Sequence, residues 1–154
     1  MAAPEKILSL LGQFSLNENK IAELYSVYAE KFSEQASLWN GLVKDERRHS
    51  ALLADLDERF GQKINNWQLS ENAPAILDYI SQYIDDCLRQ AESPDFNFKE
   101  ALNNALSLEQ SMLEKKSFEI FSPVVVEIKE VLEKLNRETE GHRLRLLKFL
   151  EDRI

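Results

Sequence analysis

The chain has 154 residues, of which 44% are hydrophobic and 30% are charged, and its net charge is −8. This acidity argues against a nucleic-acid-binding protein, because such proteins neutralise phosphates with clustered Lys and Arg side chains. The single cysteine, Cys87, excludes an internal disulfide framework and any cysteine-based zinc or iron–sulfur site.

The composition predicts an all-α fold. Four glycines and four prolines are few for a β protein, which needs many turns. No apolar stretch is long enough to span a membrane, and the N-terminus lacks the charged-then-apolar order of a signal peptide, so we expect a cytoplasmic protein. The pattern predicts one domain over 1–154, with an N-terminal helix at 1–14, a first helical hairpin at 17–60, a crossover helix at 71–92 and a second hairpin at 97–153.

The first helix of the first hairpin places one carboxylate near the core. Asn17 is a candidate N-cap for this helix, which we expect to end near Phe32. Its apolar stripe consists of Ile21, Tyr25, Tyr28, Ala29 and Phe32. Glu18 lies at the edge of the stripe, whereas Glu23 points the opposite way. Glu18 is therefore either an inward ligand or a first-turn carboxylate that favours the helix dipole.

The second helix of this hairpin carries a Glu-x-x-His pair on its core face. Its apolar stripe is formed by Trp39, Leu42, Val43, Leu53, Leu56 and Phe60. Glu46 and His49 share that face, where each would cost several kcal/mol, as an order of magnitude, to bury unpaired. A bound metal ion offsets that cost. A tight turn at 33–36 would make the two helices antiparallel, with Glu18 and Glu46 at one level, roughly 20 Å from the turn.

The second hairpin repeats the pattern. Asn97 begins a capping-box-like start for a helix whose core stripe includes Glu109. His142 lies in the core stripe of the last helix, and Glu138, at the edge of that stripe, is a weaker candidate ligand. Counted from a turn at Ser122, Glu109 and His142 differ in level by roughly one to two helical turns. Uneven helix starts or a bent last helix would absorb only part of that difference.

This inward set resembles the carboxylate-bridged dimetal site of ferritin-like four-helix bundles, and more narrowly that of rubrerythrin-like proteins. Such a site takes a Glu from each of two helices and a Glu-x-x-His from each of the other two. The segments that carry the resemblance are Glu18-x-x-Ile21-Ala22-x-x-Tyr25-x-x-Tyr28-Ala29, Glu46-x-x-His49-Ser50, Leu108-Glu109 and Thr139-x-x-His142. The resemblance implies a ferritin-like bundle of two antiparallel hairpins, with the metal ligands Glu18, Glu46, His49, Glu109 and His142.

The sequence departs from the family pattern at Thr139, where a bridging Glu would stand three residues before His142. The carboxylate count is therefore low, and both a pair of iron ions and a single ion stay open as outcomes. Manganese and zinc also suit oxygen and imidazole ligands. Tyr25 or Tyr28 near such a site would donate hydrogen bonds or carry electrons, or is a core aromatic residue with a polar tip.

The resemblance implies non-haem iron that reacts with peroxide or dioxygen. Because Cys87 is the one cysteine, the chain has no four-cysteine rubredoxin-type module, and redox turnover would need an external electron donor. Two alternatives remain. One is a single-metal site for iron handling or structure without turnover. The other is a metal-free bundle that acts through protein partners, with the N-terminal helix as the contact surface. Ferritin-like bundles often dimerise, so we also expect a homodimer.

Overall fold

The computed structural model describes residues 10–60, 73–114 and 126–152. Within these ranges the chain is entirely helical and contains no strand, which confirms the predicted all-α class. Five α-helices follow one another: α1 Leu10–Lys31, α2 Ala36–Phe60, α3 Ala73–Ala91, α4 Phe98–Glu114 and α5 Val126–Glu151. None of the described helices combines the length and the apolarity that a membrane crossing requires.

A single 3₁₀ turn at Ser33–Gln35 joins α1 to α2, and the two helices pack along each other. The turn is closed by hydrogen bonds from the backbone N–H of Phe32 to the carbonyl of Tyr28 and from that of Gln35 to the carbonyl of Phe32. The predicted tight turn and the resulting antiparallel pair are confirmed.

The predicted helix start at Asn17 is wrong, because α1 passes through this position without a break. Residues 1–9 of the predicted N-terminal helix lie outside the described residues. Leu11 and Phe14 are buried on the same face as Ile21, so one apolar stripe continues through 15–17. The Asn17 amide is used in a tertiary contact instead, where its Nδ2 donates to the Leu77 carbonyl of α3 at 2.9 Å.

Helix α3 packs against α1. The Lys20 ammonium group of α1 donates to the Ser81 hydroxyl at 2.8 Å and pairs with Asp85 at 2.7 Å. A helix is therefore present within the predicted range 71–92, of which residues 71 and 72 lie outside the described residues, and its role as a crossover stays a prediction. Cys87 of this helix is buried, as expected for a small core residue.

Helix α4 begins with the predicted capping-box-like pair, Asn97 and Glu100. The backbone N–H of Glu100 donates to Oδ1 of Asn97 at 2.9 Å, and the Asn97 amide donates to Oε1 of Glu100 at 2.8 Å. Helix α5 packs on α4 and also contacts α2. The predicted start of the last helix near Ser122 lies outside the described residues.

The core near the 33–35 turn is aromatic. The Trp39 ring lies with its centroid 5.6 Å from that of Tyr25 and 4.9 Å from that of Tyr28, and all three side chains are fully buried. This layer fills the space between α1 and α2 on the turn side of Glu18 and Glu46. It separates these carboxylates from the end of the hairpin.

Candidate metal centre

The structure places all five predicted inward side chains in the interior. Glu18 of α1, Glu46 and His49 of α2 and Glu109 of α4 are 0% exposed, and His142 of α5 is 3% exposed. Their predicted inward orientation is confirmed, and their role as metal ligands stays a prediction. Burying three carboxylates together is costly unless they are paired or bind a cation.

Glu46 is shared between two groups of potential ligands. Its Oε2 lies 3.5 Å from Nδ1 of His49, and its Oε1 lies 3.2 Å from Nδ1 of His142. Glu18 completes the first group, with Oε2 3.8 Å from Nδ1 of His49, and Glu109 completes the second. In each group the ligand atoms lie within 4.8 Å of one another, which is close enough to surround one metal ion.

The expected difference in level between Glu109 and His142 is wrong. Oε1 of Glu109 lies 3.6 Å from Nδ1 of His142, so the two residues stand side by side. The count from Ser122 assumed that both helices meet at that residue. The level of two helices depends on the path of the connection between them, which residue counting does not give.

The outward-facing nitrogens of both histidines contact carboxylates of the opposite helix. Nε2 of His49 lies 2.8 Å from Oε2 of Glu138 in α5, and Nε2 of His142 lies 3.0 Å from Oδ2 of Asp45 in α2. Donation of Nε2–H to these carboxylates directs each Nδ1 towards the inner carboxylates. This arrangement is typical of histidines that bind metals, because it fixes the tautomer and the ring orientation.

Glu138, the weaker candidate ligand, therefore does not belong to either inner ligand group. It lies outside the inner groups and orients His49, and it also accepts a hydrogen bond from Arg48 at 2.6 Å. Asp45 was not among the residues predicted for the site. The signal for both residues is their position, since Asp45 directly precedes the Glu46-x-x-His49 pair and Glu138 directly precedes Thr139-x-x-His142.

Tyr25 contacts the second group from α1. Its hydroxyl donates to Oε1 of Glu109 at 2.8 Å, and both side chains are buried. Of the roles considered for the two tyrosines, the structure assigns Tyr25 that of a hydrogen-bond donor. The bond fixes one oxygen of Glu109 and leaves Oε2 without a partner among the described residues.

The charges in the cluster shift the pKa values of its members. Burial and the nearby Glu46 carboxylate raise the pKa of Glu18 well above its usual range, and burial and the same carboxylate raise that of Glu109. Burial also opposes ionisation of Glu46, but interactions with Glu18 and both imidazoles outweigh it and hold its pKa below the usual range.

For the two imidazoles, burial and the neighbouring carboxylates have opposite effects on the pKa. Burial lowers the pKa of His49, but the adjacent Glu18 and Glu46 outweigh burial and raise it to about 10. For His142, Glu109 and Glu46 act against burial in the same way and raise the pKa to about 11. With no metal bound, protons on the imidazoles therefore supply the positive charge that the inner carboxylates require.

The inner groups contain an unusual concentration of unsatisfied polar atoms. Within the described part of the chain, the buried atoms of the two groups that lack a hydrogen-bond partner are both carboxylate oxygens of Glu18 and Glu46, Oε2 of Glu109 and Nδ1 of both histidines. Oγ1 of Thr139, on the turn of α5 before His142, lacks one as well. A buried polar atom that is left unpaired costs about 1–3 kcal/mol. Carboxylate oxygens and imidazole nitrogens that converge in this way fit iron, manganese or zinc.

Comparisons with known proteins give no family for this chain: no protein-family model, no curated protein and no solved structure matches it.

Proposed function

We propose that this protein binds two metal ions inside a ferritin-like four-helix bundle formed by α1, α2, α4 and α5, as in rubrerythrin-like proteins. The observation that supports this most strongly is the position of Glu46. Its two oxygens face two different histidines, at 3.5 Å and 3.2 Å from their Nδ1 atoms. A carboxylate that serves two groups of ligands is the expected arrangement for a pair of ions, and a single ion would leave one group unsatisfied.

We further propose that the ions are iron and that the site reacts with peroxide or dioxygen. The donor set of three carboxylates and two imidazoles suits iron, although manganese and zinc bind similar ligands. Bound ferrous iron would supply electrons to the oxidant. Of the chain's own residues, Glu18, Glu46, His49, Glu109 and His142 would bind the ions, Glu138 and Asp45 would orient the imidazoles, and Tyr25 would hold Glu109.

Turnover would require electrons from a separate donor. Cys87, the one cysteine of the chain, is buried in α3, so the chain cannot hold a cysteine-ligated iron centre of its own. We therefore propose a redox partner protein or a small reductant as the electron source. A site without such a donor would store or retain metal instead of reacting repeatedly.

Metal content tests the proposal. The protein would be purified without a metal-affinity tag, loaded anaerobically with ferrous iron, desalted and measured by elemental mass spectrometry. We expect about two iron atoms per chain, and a large loss in Glu46→Gln because this substitution affects both ligand groups. The matched control is Glu23→Gln, which makes the same change at an exposed position of α1 and should leave the metal content unchanged.

Each other outcome selects another function. About one iron per chain would favour a single-metal site without turnover. The absence of bound iron, manganese and zinc would exclude a metal function and favour a bundle that acts through protein partners. If two iron atoms bind, the rate of peroxide consumption with a chemical reductant separates an oxidoreductase from a protein that only holds iron.

A further inference from the structure

Thr139 is a buried polar residue that the proposed metal site does not use. Its side chain is 0% exposed, and its Oγ1 has no hydrogen-bond partner in the described part of the chain. Leaving a hydroxyl unpaired in the interior is unfavourable, and valine would have the same shape without this cost. The hydroxyl therefore has a reason to be there if a ligand contacts it.

The neighbours of Thr139 on α5 place it beside the metal-binding groups. Glu138, the preceding residue, contacts Nε2 of His49, and His142, three residues later on the same buried face, contacts Glu46. The turn of α5 that carries Thr139 thus lies against the Glu46–His49 turn of α2. Neither ligand group contains a carboxylate from α5, whose contribution is His142 alone.

A charge count indicates what this side of the site requires. Metal-bound histidines are neutral and metal-bound glutamates are ionised, so Glu18, Glu46 and Glu109 contribute three negative charges. Two divalent ions contribute four positive charges, and a net charge of +1 would remain where the three carboxylates are 0% exposed. An uncompensated charge in such a place is strongly unfavourable.

The charged residues outside the imidazoles reduce this excess only in part. Asp45 and Glu138 are about one-third exposed, with side-chain exposures of 30% and 27%, so water screens them. Arg48 pairs with both and offsets one of their two charges. These outer residues formally leave one negative charge, but that charge lies beyond the imidazole rings and is partly exposed to water, so the inner site still favours a negative ligand.

We propose that a small monoanion binds at the metal site beside Thr139, accepts a hydrogen bond from the threonine hydroxyl and supplies the missing negative charge. This inference rests on the proposed two-metal function. The ligand class is a compact anion with an acceptor atom, such as formate or azide. Each metal group offers three protein side chains, which leaves coordination positions for such a ligand.

Azide binding to the cobalt(II)-loaded protein tests the inference. Cobalt gives a visible spectrum that changes when an anion joins its ligands, and the titration yields an affinity and a stoichiometry without any activity assay. We expect one azide per metal pair and competition by formate. Thr139→Val should weaken azide binding roughly tenfold to 100-fold, the effect of losing one hydrogen bond to a charged group. Thr139→Ser should bind azide nearly as well as the unaltered protein.

Two further variants sharpen the test. Thr139→Glu should retain two metal ions and lose azide binding, because the new carboxylate supplies the charge and takes the position. Gly141→Ala, a change on the exposed side of the same helical turn where an added Cβ meets nothing within 4 Å, is the matched control and should leave azide binding unchanged.

The failures of the two proposals are distinguishable. If two cobalt ions bind but azide does not, or if Thr139→Val binds azide as tightly as Thr139→Ser, the anion site is wrong and the metal site stands. If cobalt does not bind to the folded protein, both proposals fail together.

Discussion

The imidazole rings of His49 and His142 lie nearly parallel in the protein interior, with 5.8 Å between their centroids and 19° between their planes. They come from α2 and α5, and the Nδ1 atom of each faces a different oxygen of the Glu46 carboxylate. Two buried imidazoles that are both cationic would repel each other at this distance. In the proposed centre, a metal ion at each Nδ1 would take the place of the proton there.

Metal binding should release protons, so metal affinity should rise with pH. The pKa values of about 10 for His49 and about 11 for His142 mean that both rings carry an extra proton near neutral pH when no metal is present. A metal ligand must be a neutral imidazole, so each ring gives up that proton. Calorimetric titration with zinc in two buffers of different ionisation enthalpy should give different apparent enthalpies, and equal enthalpies would contradict the expectation. The difference should be smaller in His49→Gln.

The stability of the metal-free protein should fall at alkaline pH. Both histidines have folded-state pKa values above the usual value of 6.5, so their stabilising contribution is fully present below that pH. It is lost as the pH rises through about 10 for His49 and about 11 for His142. Urea midpoints of metal-stripped protein should therefore decrease from neutral to alkaline pH, and the decrease should be smaller in the His49→Gln/His142→Gln double variant. A midpoint that rises over this range would contradict the expectation.

Glu138 and Asp45, which contact the outward-facing nitrogens of the histidines, should each affect the affinity for one of the two metal ions. Glu138→Gln removes the charged partner of His49, and Asp45→Asn removes that of His142. Loss of such a partner typically lowers metal affinity by about 10- to 100-fold. In each variant, competition with a coloured chelator should show that one ion is bound more weakly and that the other is bound with unchanged affinity. Glu130→Gln, at an exposed position of α5, is the control, and equal affinities in all three variants would exclude the orienting role.

Tyr25→Phe should destabilise the protein and alter the group that contains Glu109. The substitution removes the 2.8 Å hydrogen bond to Oε1 of Glu109 and leaves another buried oxygen unpaired, at a cost of about 1–3 kcal/mol. Chemical unfolding of the metal-free protein measures this cost. The same change at Tyr79, which is 50% exposed, should alter the free energy of unfolding by less than about 0.5 kcal/mol. A similar effect at both positions would argue against the buried hydrogen bond.

The helix faces were predictable from the sequence because periodicity alone determines which side chains share a face. The inward orientation of Glu46 and His49, flanked by Trp39 and Leu53, follows from three- and four-residue spacing. The spacing of Asn97 and Glu100 likewise predicted the capping-box-like start of α4. These features depend on residues close in sequence, so a single chain contains the information.

Contacts between distant segments were not predictable in this way. Asn17 looked like a helix N-cap, but its partner is a carbonyl of α3, sixty residues away. Asp45 lies at the edge of the core face of α2, and its role depends on how α5 is placed beside it. The shared position of Glu46 likewise depends on the relative levels of four helices, which the connections between them determine.

Anomalous X-ray diffraction from crystals loaded anaerobically with ferrous iron tests the central claim most directly. Two iron peaks should flank Glu46, one in contact with Nδ1 of His49 and the other with Nδ1 of His142. A single peak would contradict the sharing of Glu46 between two ions. An interior without iron, in crystals whose surface carboxylates do bind it, would contradict the metal centre altogether.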